Sequence, residues 1–245
     1  MTADANASSD WLADACAEVA RDPDSVTRAF AFAARRVGRA PRRPDVDPGG
    51  VVHGTVDDAA RAALVVALAD AVGTGPDYAE RLVRLYRQGD AAERRGVLRG
   101  LDLLTERGDL GTADPGTDDP GMADPGTADP GTAQLVAAGV DLAADALRAN
   151  DPGLVAAAVG PFGSRHLDQH TWRHAILKLV FQGVSLDAVS DLGARADDEL
   201  ARMARDFAAE RRAAGRSVPT DLDRLSSAPA SSTRLSSTQL SSTKE

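Results

Sequence analysis

Apolar residues in this chain recur every three or four positions and almost never alternate, so the pattern specifies helices and leaves almost no material for strands. Aromatic residues make up 4% of the sequence against 43% hydrophobic overall, so Ala, Leu and Val must supply the core. Small side chains of this kind let helices approach closely, whereas sheets favour β-branched and aromatic residues. The expected fold is all-α, built from stacked antiparallel helix hairpins. A HEAT-like α-solenoid suits many medium-length helices with tight turns better than a four-helix bundle does.

Start and stop signals place the helices. Ser9 is suited to cap a helix carrying Trp11, Leu12, Ala15, Cys16 and Val19, which Asp22-Pro23 ends. Asp24 or Ser25 opens a second, closed by Gly38. Residues 40–54, rich in Pro and Gly, read as a loop. Thr55 and Asp58 form a capping box for a helix over 59–72, and Pro76 suits the first turn of the next, which stops at Gly89. Asp90 and Glu93 make a second box. A helix is expected over 134–149, and a short one from Asp151-Pro152 to Gly160-Pro161. Asp168 caps a Trp-bearing helix, and a final long helix runs from about Asp197 to Gly215.

Two segments lack the apolar residues needed to offset the entropy of ordering. Between Ala113 and Thr132 one pentapeptide occurs four times, mostly as ADPGT, and its Pro-Gly pairs favour turns. The recurring Asp invites a Ca²⁺ reading, but its spacing does not gather several oxygens in one rigid loop. The expected organisation is a single helical domain over residues 1–225, with a flexible insert at 110–133 and a disordered Ser/Thr-rich tail at 226–245.

Acidic residues outnumber basic ones, 37 to 28, so the net charge of −9 argues against a nucleic-acid partner. Cys16 is the sole cysteine, which rules out an internal disulfide and a thiolate metal cage. The amino terminus has no basic-then-apolar leader pattern and no apolar run is long enough for a membrane span, so a cytoplasmic location is expected. Strong preference for Arg over Lys fits GC-rich bacterial coding and carries no functional weight.

Histidines offer the one constellation with possible chemistry. His166, His170 and His174 would line one face of a continuous helix and could hold Zn²⁺. A helix beginning after Asp168 leaves His166 outside and dissolves that stripe, so no metal and no cofactor are expected. His170 and His174 then remain near Leu177 and Phe181, while Trp172, Ala175, Ile176, Leu179 and Val180 form the main apolar face. Lys178 lies on the same side as the two histidines, and these three residues can line one cleft. The bland alternatives are a polar rim and a snorkelling lysine. Clustered carboxylates such as Asp57-Asp58 and Asp197-Asp198-Glu199 read as helix caps.

Residues 170–186 (HTWRHAILKLVFQGVSL) and 191–219 (DLGARADDELARMARDFAAERRAAGRSVP) together resemble the C-terminal signature of the EboA family. Residues 35–41 (RRVGRAP) and 85–101 (LYRQGDAAERRGVLRGL) are similar to its earlier segments. One departure stands out: Ser190-Asp191-Leu192 occupies a junction where the family pattern has Gly-Leu. The resemblance implies a helical cytosolic protein encoded beside a UbiA-like prenyltransferase, a TatD-like hydrolase and a dehydroquinate-synthase-like enzyme. It implies no catalytic residue. The function it implies is a non-catalytic scaffold or adaptor that supports synthesis or transport of a secondary-metabolite precursor toward the cell envelope. The alternative is a small-molecule-binding protein or enzyme with a His/Lys-lined pocket for a prenylated or acidic metabolite. The ligand-binding candidates are His170, Trp172, His174, Lys178 and Phe181.

Overall fold

A computed structural model describes residues 2–111 and 129–226. The first three pentapeptides and the tail beyond Ser226 lie outside the described residues, as do the expectations attached to them. In chain order the α-helices are α1 (Thr2–Arg21), α2 (Val26–Val37), α3 (Val56–Val72), α4 (Pro76–Gln88), α5 (Ala91–Arg107), α6 (Pro130–Arg148), α7 (Pro152–Ala157), α8 (Pro161–His166), α9 (Gln169–Phe181), α10 (Leu192–Arg195), α11 (Asp198–Ala213) and α12 (Asp221–Ser226). Among the described residues there is no strand, only one isolated antiparallel bridge between Pro41 and Thr55. The fold is all-α.

Most helix ends follow their local chemistry. The Asp90 carboxylate accepts from Glu93 N at 2.9 Å, and the Glu93 carboxylate accepts from Asp90 N at 2.8 Å. Asp168 accepts from Thr171 N at 2.9 Å, so α9 starts where expected and His166 belongs to α8. Ser9 is a correction, because it lies within α1, which begins at Thr2. Helix α6 also starts earlier than expected. Pro130, from the fourth pentapeptide, takes its first position, where the missing N–H costs nothing.

The chain separates into two compact units, Met1–Arg195 and Ala196–Glu245. In the first, α3 and α5 pack most extensively on each other, with α1 and α2 against α3 and with α4 against α6. Two glycines one turn apart on α5 make the central approach possible. A Cβ on Gly100 would lie 2.3 Å from Val65 Cγ1, and one on Gly96 would lie 2.5 Å from Arg61 Cβ. Beneath this seam Arg61, 2% exposed, donates to the Asp57 carboxylate at 2.5 Å and to the carbonyl of Phe30 at 3.1 Å. Asp57 is therefore more than a cap: it is half of a buried ion pair.

The 38–55 connection is an ordered structure. The buried Asp47 carboxylate accepts from the backbone N–H groups of Val51, Val52 and His53 at 3.0, 2.9 and 2.7 Å. Arg42 N donates to Gly54 O and Val56 N donates to Ala40 O, which closes the loop at its base.

In the turn before α10, Asp191 adopts φ +54°, the left-handed conformation that glycine takes most readily. Asp is among the few other residues that tolerate this region.

In the second unit Asp197 caps α11 by accepting from Leu200 N at 2.9 Å, and Gly215 ends the turn that follows with φ +67°. Helices α11 and α12 pack together, burying Leu200, Ala204 and Ala208 of the first and Leu222 and Leu225 of the second. Met203 and Phe207 are half-buried.

Candidate functional site

Helix α9 presents two different faces. Trp172, Ala175, Ile176, Leu179 and Val180 are buried, as the helical spacing requires. Phe181 is 66% exposed. Trp172 is a structural anchor. Its ring lies 4.8 Å below the Arg195 guanidinium, which donates to Ser164 O at 2.6 Å and to Leu167 O and the Gln169 side chain at 2.9 Å. This network fastens the α8–α9 junction.

His170 and His174, four residues apart, stand edge-to-face with ring centroids 4.5 Å apart. His166 lies elsewhere and stacks on Phe162 at 4.8 Å. Burial, reinforced by the Arg165 charge, pushes its imidazole down to about 4. Among the described residues no three His, Cys, Asp or Glu side chains converge where a metal ion could sit.

Lys178 reaches across to α6. Its ammonium donates to Leu147 O at 2.5 Å and to Ala149 O at 2.8 Å, the carbonyls left open at the end of that helix. A cation here also complements the helix dipole, and a compact ammonium suits two converging carbonyls better than a planar guanidinium. The residue that bound charge alone would assign to a ligand is thus also a clamp between α6 and α9.

His170, His174 and Lys178 line one cleft of about 330 Å³, with Thr171, Leu147 and Arg148 on its walls. Trp172 and Phe181 are not in its lining. Arg148 and Ala144 also line a larger depression of about 500 Å³, together with Asp141, Leu142 and Asp145 of α6, Tyr86 and Arg87 of α4 and Arg94 of α5. Because they share two α6 residues, the two depressions are described together as the groove along α6. Tyr86, Arg87 and Arg94 of the larger depression were not legible as site residues in the sequence, because only helix docking brings them beside α6.

Asp145 organises the larger half. It accepts from Tyr86 Oη at 3.1 Å and from Arg148 at 3.2 Å, with Arg94 at 3.9 Å. Arg94 also lies 5.4 Å over the Tyr86 ring. Burial, with the Asp145 hydrogen bond, holds the Tyr86 phenol well above its ordinary range, so it stays protonated. Across the whole groove four cations (Arg87, Arg94, Arg148, Lys178) face two carboxylates (Asp141, Asp145), in a chain whose net charge is −9. The local balance is cationic, and it favours an anion.

No helix among the described residues is long and apolar enough to cross a membrane. The family model described as metabolite traffic protein EboA matches residues 139–227 and supports membership of that family. The match covers the second half of α6 and everything described beyond it, while the similar segments at 35–41 and 85–101 fall outside it. No curated protein and no solved structure matches the chain.

Proposed function

We propose that this chain, as an EboA-family protein, holds an acidic metabolite in the groove along α6 and delivers it without chemical change. The family's description as a metabolite traffic protein supports a metabolite-related role. The observation that carries the finer reading is the concentration of Arg87, Arg94, Arg148 and Lys178 on one groove of a net-acidic chain. His170 and His174 stand at its end as further donors. Lys178 has its ammonium committed to two helix carbonyls, which suits holding better than nucleophilic attack. In this role the helical body acts as an adaptor, presenting the bound metabolite to enzymes of the prenyltransferase and hydrolase classes.

Calorimetric titration of the full chain with citrate and with inorganic pyrophosphate tests the groove. Arg148 lines both halves, so Arg148→Ala should weaken either probe about ten-fold, the equivalent of one good charged contact. Equal affinity in the variant, or tighter binding of a neutral probe such as geraniol, removes the reading. Replacing His170, His174 and Lys178 together with Ala, followed by pull-down from the native host, tests the adaptor half. Recovery of the same enzymes with and without those side chains would separate partner binding from metabolite binding.

A further inference from the structure

A second cleft, of about 220 Å³, lies in the first unit, bounded by α3, α5, the 38–55 loop and the start of α8. Its floor holds two carboxylates whose side chains are 2% and 7% exposed, Asp58 and Asp102. Each is half satisfied. Asp58 Oδ2 accepts from Thr55 N at 3.1 Å and from Arg95 Nε at 3.3 Å, and Asp102 Oδ1 accepts from Phe162 N at 3.0 Å. The other oxygens, Asp58 Oδ1 and Asp102 Oδ2, are buried with no hydrogen-bond partner among the described residues, and so is Arg99 Nε. Arg99 Nη1 stands 3.5 Å from Asp102 Oδ2, an ion-pair distance too long for a well-formed hydrogen bond.

Buried polar atoms are normally paired, because desolvating them without a partner is costly. Here two acceptors and one donor without partners belong to residues lining the same cleft. The walls are fixed. Arg99 Nη2 donates to Val52 O at 2.8 Å, and Val52 sits on the strap anchored by Asp47.

We propose that this cleft binds a small neutral polyol. The charge balance selects the class. Arg95 already stands against Asp58 and Arg99 against Asp102, so a cation is not required. The lining sets three carboxylates, Asp58, Asp102 and Glu106, against Arg42 and Arg99, with Arg95 paired to Asp58, so it offers an anion no net attraction. A hydroxyl group both donates and accepts, so adjacent hydroxyls can serve a carboxylate oxygen and the Arg99 Nε–H together. Ala59, Ala62, Leu103 and Pro161 supply apolar wall for the carbon skeleton. The volume lies below the range for drug-sized ligands and suits a single-ring molecule. This site shares no lining residue with the groove along α6 and stands whether or not that groove takes an acid.

The test is an amide-resolved NMR titration of the full chain with D-glucose, D-glucuronate and D-glucosamine, which share a ring and differ in charge. Glucose should shift the amides of Val52, His53 and Leu103 with a Kd on the order of millimolar, and glucuronate should bind about ten-fold more weakly. Asp102→Asn should weaken glucose binding about ten-fold. Arg99→Lys keeps the charge but removes the Nε–H, and it should do the same if the first variant fails to fold. Absence of localised shifts with glucose, preference for either charged sugar, or unchanged binding in Arg99→Lys each overturns the proposal.

Discussion

The two clefts of the first unit use charge in opposite ways. Along α6 the cations are exposed or already engaged: Lys178 with helix carbonyls, Arg94 and Arg148 with Asp145. Their pull on a ligand is a summed field, which solvent screens and which tolerates many anions. Between α3 and α5 the carboxylates are buried and rigid, with specific atoms left unpaired. Recognition there depends on matching donors to acceptors at fixed positions, and charge contributes little. Net charge and pocket size together therefore say less about a ligand than whether the polar atoms facing it are solvated.

The largest expected effect lies at the α3–α5 seam. Arg61→Met would leave Asp57 buried without its partner, at a cost of about 3–5 kcal/mol, read as a fall in the urea midpoint. A cost under about 1 kcal/mol would mean that α3 and α5 are held by their apolar seam alone and that the pair is incidental.

Next in size is the pH response of the buried carboxyl. Burial, opposed mainly by the Arg99 charge, pushes Asp102 up to about 6. Between its unfolded value and about 6 the folded state holds a proton that the unfolded state has lost, so this group's contribution declines as pH rises through that window. His166 works the other way. With its pKa lowered to about 4, it contributes stability above its unfolded value that disappears as pH falls toward 4. Asp102→Asn should therefore match the parent near pH 4 and exceed it at pH 7.5 by on the order of 1–3 kcal/mol, since the amide carries no charge to desolvate. The variant should also lose stability steadily on acidification from pH 6.5, the His166 slope now unopposed. A variant less stable than the parent at pH 7.5 would show that the ionised carboxylate is required by its surroundings.

Asp191→Gly should raise stability by about 1 kcal/mol, because glycine takes φ +54° without the steric cost that Asp bears. No gain would locate a compensating interaction in the Asp191 side chain. The smallest effect separates the clefts directly. Raising salt from about 0.05 to 0.5 M should weaken citrate binding several-fold through screening, while glucose binding stays level. Equal salt sensitivity would erase the distinction between them.

Where the sequence was legible, the controlling interactions were local. Asp90 with Glu93, Asp168 with Thr171 and Asp197 with Leu200 each span three residues, so capping rules located them. Spacing of four residues likewise joined His170, His174 and Lys178. The helical wheel did not say which faces have neighbours, so Trp172 and Phe181 were grouped with a cleft that neither one lines. Arg87, Arg94 and Arg148 come from three helices, and the Asp58–Asp102 floor from two, so their meeting depends on docking that periodicity does not encode. The Asp47 strap was hidden for another reason: Pro and Gly announce a loop but not its internal hydrogen bonds.

Lys178 is the only lysine among the described residues, and its nitrogen is the rivet between α6 and α9. An amine-reactive reagent applied to the folded chain would consequently find one informative target there. Acylation would remove both the charge and the donors that grip Leu147 and Ala149, so the reagent can advance only as fast as that joint opens. The labelling rate at this single side chain is thus a clock for breathing between the two helices, built into the protein without any introduced probe.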